Sequence, residues 1–213
     1  MTTKPILILG TYMLAEEMAD LISEMPGWRV AGFVENLDRA RCRPLLGLPV
    51  HWIDDVKELA HDHFAICGIS TTHRVAFIEQ ALAAGLRFPR LVHPTARVSS
   101  TTTLDEGVFI SGGVQVAAHT NIGKHVFVNR GALIGHHTTI EDYVTIQPGA
   151  NVAGACHVER CAWISMSAVV LDRKRIGCHS IVGAGAVVTL DVPSHVQVVG
   201  VPARVIKENV AGK

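Results

Sequence analysis

The chain has 213 residues, of which 48% are hydrophobic and 18% charged, and its 19 Lys and Arg balance its 19 Asp and Glu. That length and composition fit one large or two small folded domains and exclude a disordered chain. Zero net charge argues against a partner held by bulk electrostatics, so neither nucleic acid nor a membrane surface is expected to bind.

The first apolar run, Ile6 to Leu9, is too short for a signal segment or a membrane span, which predicts a soluble, cytoplasmic protein with no membrane insertion. The five cysteines are odd in number and follow no CxxC spacing, so they read as reduced thiols rather than a disulfide frame or a zinc site. Residues 4–10 (KPILILG) predict a buried parallel strand ending on glycine. Residues 11–25 carry apolar side chains at helical spacing, and Pro26-Gly27 stops that helix. A second strand is predicted over 28–35, an irregular stretch over 36–49, and a short helix capped by Asp54 over 54–61. A third strand over 64–69 and a helix over 72–84, closed by Gly85, complete the first part.

Strands alternating with helices imply an α/β Rossmann-like domain over residues 1–90. Ligands of such sheets sit beyond the carboxyl ends of the strands. The candidate acceptor-site residues there are Gly10, Thr11, Tyr12, Glu35, Asn36, Ser70 and Arg74, with Arg74 able to meet a phosphate. No glycine follows Gly10 in the next turn, so the dinucleotide fingerprint is absent.

From Val92 to Val188 every sixth residue is Val, Ile or Leu, without an insertion. The position four further on is small or β-branched throughout, except at Lys174. A strict period of six suits neither an amphipathic helix nor an isolated strand and signals a solenoid. Each hexapeptide supplies a short strand and a corner, and three close one coil of a left-handed parallel β-helix over residues 91–196. Glycines that directly follow the aliphatic residue, such as Gly135 and Gly183, are expected where a corner wants a permissive backbone. Residues 197–213 are expected to cap the last edge, with Pro202 ending the pairing and a tail or helix beyond it.

This array, entered through LVHPTARVS (residues 91–99) and followed by VGVPAR (residues 199–204), resembles the hexapeptide-repeat sugar O-/N-acyltransferases. That family includes the sialic acid O-acetyltransferase and nucleotide-amino-sugar N-acetyltransferase types. The resemblance implies a homotrimer, acetyl-CoA in a groove between neighbouring β-helices, and a nucleotide sugar held by the N-terminal domain. It also implies that His136, in Leu133-Ile134-Gly135-His136-His137, is the general base and Gly154 the oxyanion donor. Asn129 matches an asparagine near the active site of such enzymes, and the corners containing Met166 and Ala184-Gly185 match those lining the pantetheine groove. Two family features are absent. His137 stands where a carboxylate follows the base, and residues 11–15 replace a glycine- and histidine-rich turn.

The residues give the same chemistry by a second route. Acyl transfer from a thioester needs a base, an oxyanion donor and a slot for the thioester arm. His136 lies two residues after the aliphatic Ile134 and should project from a corner, with Gly154 one coil later beside it. Glu141, Asp142 or a neighbouring subunit could orient it. By the same arithmetic His137 lies over His119, either as a contact near the site or as ordinary surface histidines. Arg173 and Lys174 form a basic corner able to hold the 3′-phosphate of CoA, or simply a solvated one.

The predicted reaction is transfer of an acetyl group from acetyl-CoA to the amine of a nucleotide-linked amino sugar. A sugar O-acetyltransferase and a non-catalytic repeat protein are the alternatives. A γ-class carbonic anhydrase, which shares the β-helix, is disfavoured because no histidine pair of the repeat has its five-residue spacing, and no metal is expected.

Overall fold

The computed structural model describes residues 3–72 and 74–213. Positions 1 and 2 of the expected N-terminal domain, and position 73 of the helix expected from residue 72, lie outside the described residues. The chain divides into two compact units, residues 1–89 and 90–213.

The first unit is a parallel sheet flanked by helices. Strand β1 (Lys4–Leu9) leads to helix α1 (Met13–Ser23), then β2 (Trp28–Glu35), β3 (Val50–Trp52), β4 (Phe64–Cys67) and helix α2 (Arg74–Ala83). The sheet order is β3-β2-β1-β4, with every pair parallel. Ile6 to Leu9 are fully buried, as a strand covered on both faces requires.

The irregular stretch over 36–49 is followed by strand β3, which the sequence does not predict because its three residues are too few to show a period. Two expectations need correction here. The helix expected from Asp54 is a 3₁₀ helix over Ile53–Leu59. Its N-cap is Trp52, and Asp54 accepts the Trp52 indole N–H at 2.9 Å instead of capping.

The second unit is a prism. Two-residue strands recur every sixth residue from Leu91–Val92 to Val187–Val188 and stack into three parallel ladders of six, six and five strands. The aliphatic register is buried from Ile110 onward, with Ile134, Val152 and Val170 forming one ladder of the core. The three faces differ in what they show outward. One carries Phe109, Phe127 and Trp163, a second Gln115, Leu133 and Asn151, and a third Thr139, His157 and Arg175.

The corner glycines act differently from the sequence reading. Gly135 does not adopt positive φ; that conformation falls two residues later, at His137. A Cβ on Gly135 would lie 2.4 Å from the carbonyl carbon of Ala153 and from the Gly154 nitrogen. It is the close approach of the next coil that demands glycine there.

The C-terminal cap also departs from expectation. Gln197–Val199 pairs parallel to the strand Ile181–Val182, and Arg204–Lys207 returns antiparallel to it. Pro202 therefore sits in a turn between paired strands, and β-pairing rather than a helix covers the edge.

Candidate active site

A groove of about 680 Å³ runs along the second face, bordered by Gln115, Leu133 and Asn151 and reaching Gly135 and Ala153 at its corner. The residues that follow these two are His136 and Gly154. A Cβ placed on Gly154 would lie 2.8 Å from Cε1 and 2.9 Å from Nε2 of His136, so the imidazole leans directly over the glycine. The stacking is held by the backbone: Ala155 N–H donates to the His136 carbonyl at 2.7 Å, and Arg173 N–H to the Gly154 carbonyl at 2.9 Å. Among the described residues the Gly154 N–H donates to no backbone carbonyl.

The His136 ring is exposed, and its two nitrogens face different surroundings. Nε2 lies beside Gly154, while Nδ1 is 3.0 Å from Nδ1 of His137. His137 in turn lies against His119 of the preceding coil, with ring centroids 4.9 Å apart. Glu141 and Asp142, the carboxylates considered as orienting groups, belong to the following corner and are engaged there. Glu141 accepts from His157 Nε2 at 2.6 Å and from the Arg160 N–H at 3.0 Å. Asp142 accepts from the Lys124 N–H at 2.8 Å.

Not all the candidate residues share this corner. Arg173 and Lys174 do, one coil beyond Gly154, with Arg173 exposed and Lys174 half-buried. Asn129 lies on the preceding corner, 6% exposed, with its side-chain oxygen accepting the Arg130 N–H at 2.7 Å. Met166, Ala184 and Gly185 lie in later coils of that same preceding corner, where the Gly185 N–H donates to the Met166 carbonyl at 2.9 Å. Met166 and Ala184 border a separate depression of about 440 Å³, together with Trp163 and Lys213, whose ammonium stands 5.0 Å over the Trp163 ring. Within one chain the His136 corner and the Met166, Ala184 and Gly185 candidates are therefore apart.

In the first unit the candidate acceptor residues gather at the carboxyl ends of β1, β2 and β4. Thr11 donates to Glu35 at 2.5 Å, and the Asn36 and Leu37 N–H groups donate to its other oxygen at 3.0 and 2.8 Å. Burial opposes charge on Glu35, but these hydrogen bonds outweigh it and hold the carboxyl below its ordinary value. Gly10 turns there with φ of +114°. Tyr12 is exposed, with the Arg41 guanidinium 4.1 Å over its ring, and Asn36 donates to Gln80 at 2.9 Å. Arg74 is 1% exposed and donates to the Ser70 carbonyl beyond the end of β4. Sequence reasoning missed Arg41, which ends a 3₁₀ helix of three residues (Arg39–Arg41), too short to show a period. It also left open whether His137 belongs to the site; two adjacent histidines were a signal, but their ring contact depends on the corner conformation.

The family model for the bacterial transferase hexapeptide, a unit of six repeats, matches residues 119–154, the stretch holding both His136 and Gly154. Over nearly the whole chain the structure is similar to perosamine N-acetyltransferase from Caulobacter crescentus, solved as a variant with CoA and GDP-perosamine. The identity is 28% and the TM-score 0.88, covering 96% of this chain and 97% of that one. The chain has the hexapeptide-repeat fold of the nucleotide-sugar N-acetyltransferases. WeeI from Acinetobacter baumannii is similar in the same way, at 27% identity and a TM-score of 0.86, covering 96% of this chain and all (100%) of that one. Among curated proteins, the galactoside O-acetyltransferase of Escherichia coli is 46% identical over 46 residues, 22% of this chain and 23% of that protein. This chain thus spans only about a quarter or less of the length of the curated relatives it matches. Among the described residues no helix is long and apolar enough to cross a membrane.

Proposed function

We propose that the protein is an acetyl-CoA-dependent N-acetyltransferase acting on the amino group of a nucleotide-linked amino sugar. The observation that carries this reading is His136 leaning over Gly154 at the end of the groove, in a chain similar end to end to an enzyme solved with CoA and GDP-perosamine. His136 Nε2 takes a proton from the acceptor amine as its nitrogen attacks the thioester carbonyl. The new C–N bond gives a tetrahedral oxyanion, which the Gly154 N–H faces and stabilises. Collapse breaks the C–S bond, and the proton passes from His136 to the leaving thiolate, so the base ends as it began.

The cosubstrate fits the residues present. Arg173 and Lys174 supply positive charge for the CoA phosphates on the His136 corner, while Met166, Ala184 and Gly185 offer small or pliant surface on another. The separation of these sets within one chain favours a homotrimer, in which one subunit's His136 corner meets its neighbour's Met166 corner across the acyl donor. The acceptor's nucleotide is assigned to Gly10, Thr11, Tyr12, Glu35 and Asn36 in the first unit, with Arg41 added. Ser70 and Arg74 support that strand end. Asn129 is assigned to the walls of the donor groove, and the location to the cytoplasm, where acetyl-CoA and nucleotide sugars are both made.

The test is purified protein with acetyl-CoA and a panel of UDP-, dTDP- and GDP-linked amino sugars, following free thiol. Thiol release with one amino sugar, and none with its deaminated analogue, supports the proposal. Release with hydroxyl acceptors alone would make the protein an O-acetyltransferase, and silence with no binding of CoA would leave a non-catalytic repeat protein.

A further inference from the structure

Besides the candidate base, one group in this corner has chemistry that the proposed reaction has not used. His137 occupies the place of a carboxylate, and its ring is not an idle surface group. The residue's backbone is fixed, its main-chain N–H donating to the Ala118 carbonyl at 3.0 Å and its φ standing at +57°. The ring rests against His119 of the preceding coil and meets His136 nearly edge-on, at 86° and 5.2 Å between centroids. The two Nδ1 atoms are 3.0 Å apart. At that distance one nitrogen must carry the proton and the other the lone pair. A hydrogen bond between the two rings accounts for that contact.

We propose that His137 is the positioning residue of the base: its Nδ1 accepts the Nδ1–H of His136 and fixes His136 as the tautomer whose Nε2 carries a lone pair. The catalytic consequence rests on the acetyltransferase reading; the tautomer does not. A histidine side chain in water favours the proton on Nε2, which here would point an N–H at Gly154 and leave nothing to deprotonate an amine. Holding the imidazole in the wrong tautomer costs about 10⁴ in turnover in the serine-protease template. A neutral imidazole can do the orienting work of a carboxylate as long as its own proton sits on Nε2. The His137 Nε2 has no recorded acceptor among the described residues and is free to carry that proton.

The experiment uses the full-length protein with ¹⁵N-labelled histidine at about pH 8, above the ordinary histidine value of about 6.5. Long-range proton–nitrogen correlations report each tautomer, and the signals are assigned with His136→Gln and His137→Gly. The expected result is His136 protonated on Nδ1 and His137 on Nε2, with His136 reverting to Nε2–H in His137→Gly. Glycine suits the positive φ at this position, so that variant removes the ring without straining the corner. His136 protonated on Nε2 in the wild type would overturn the proposal whether or not turnover is seen. Absence of turnover with the expected tautomers would instead count against the acetyltransferase reading alone. In an active enzyme, His137→Gly should lower kcat at least tenfold and leave KM for acetyl-CoA unchanged. Free imidazole, or His137→Asn with its accepting side-chain oxygen, should recover part of the loss. Unchanged kcat in His137→Gly would likewise overturn the role.

Discussion

Replacing Gly154 with alanine separates catalysis from stability at this corner. The added methyl would stand 2.8 Å from Cε1 and 2.9 Å from Nε2 of His136, distances that a real Cβ does not tolerate, whereas 3.4 Å is an ordinary contact. The ring must withdraw by about half an ångström or swing to another rotamer, and it can do so cheaply because it is an exposed side chain rather than backbone. Gly154 does not have positive φ, so alanine introduces no backbone strain and removes some freedom from the unfolded chain, a gain of about 0.4–1 kcal/mol. The stability change should stay within about 1 kcal/mol, or about 2–4 °C in Tm for a chain of this size. Catalysis should respond far more. Misplacing a reacting group by about 1 Å costs about 10²-fold, so half that displacement, beside a crowded oxyanion donor, should lower kcat at least about tenfold. Thiol release from acetyl-CoA and thermal unfolding of the same preparation make the comparison. Wild-type kcat in Gly154→Ala would show that the position of the His136 ring over this corner does not matter to turnover.

His136→Ala should reduce kcat by about a hundredfold or more with Tm nearly unchanged, as expected for loss of a general base at an exposed corner; a variant within a factor of two would remove His136 from that role. Gly135→Ala should behave in the opposite way to Gly154→Ala, because its methyl meets backbone at 2.4 Å and the coils must part. A loss of about 1–3 kcal/mol in denaturant unfolding is expected, and an unchanged midpoint would contradict the packing account. Glu35→Ala would strip the Thr11 hydroxyl and the Asn36 and Leu37 N–H groups of their acceptor, at a cost of about 1–3 kcal/mol read from the unfolding of the first unit. The Glu35 carboxyl is held below its ordinary value in the folded state, so its stabilisation is complete above the unfolded value of about 4.3 and disappears as pH falls through the folded one. The stability difference between wild type and Glu35→Gln should therefore shrink on acidification below about pH 4, and a difference that grew instead would reverse the sign of this argument.

The repeat was fully legible in the sequence. A six-residue period leaves each coil one way to bury its aliphatic residue, so Ile134 and Val152 had to stack, and with them His136 and Gly154. The N-terminal elements were legible where a strand or helix was long enough to show its period, as in β2, and illegible where it was not, as in β3. The same limit applies to Arg41, whose place over Tyr12 comes from a 3₁₀ helix of only three residues.

What the sequence determined by itself is thus the ladder: which residues face inward, and which corners lie one coil apart. The tertiary structure decided what happens within a corner. It placed the positive φ at His137 rather than at Gly135, gave Gly135 a packing role, tied Glu141 and Asp142 to the next corner, and set the two histidine rings nitrogen to nitrogen. Periodicity fixes the spacing of backbones because every coil must repeat the same hydrogen bonds. It says nothing of side-chain torsions, which answer to whichever neighbours the coils above and below happen to supply.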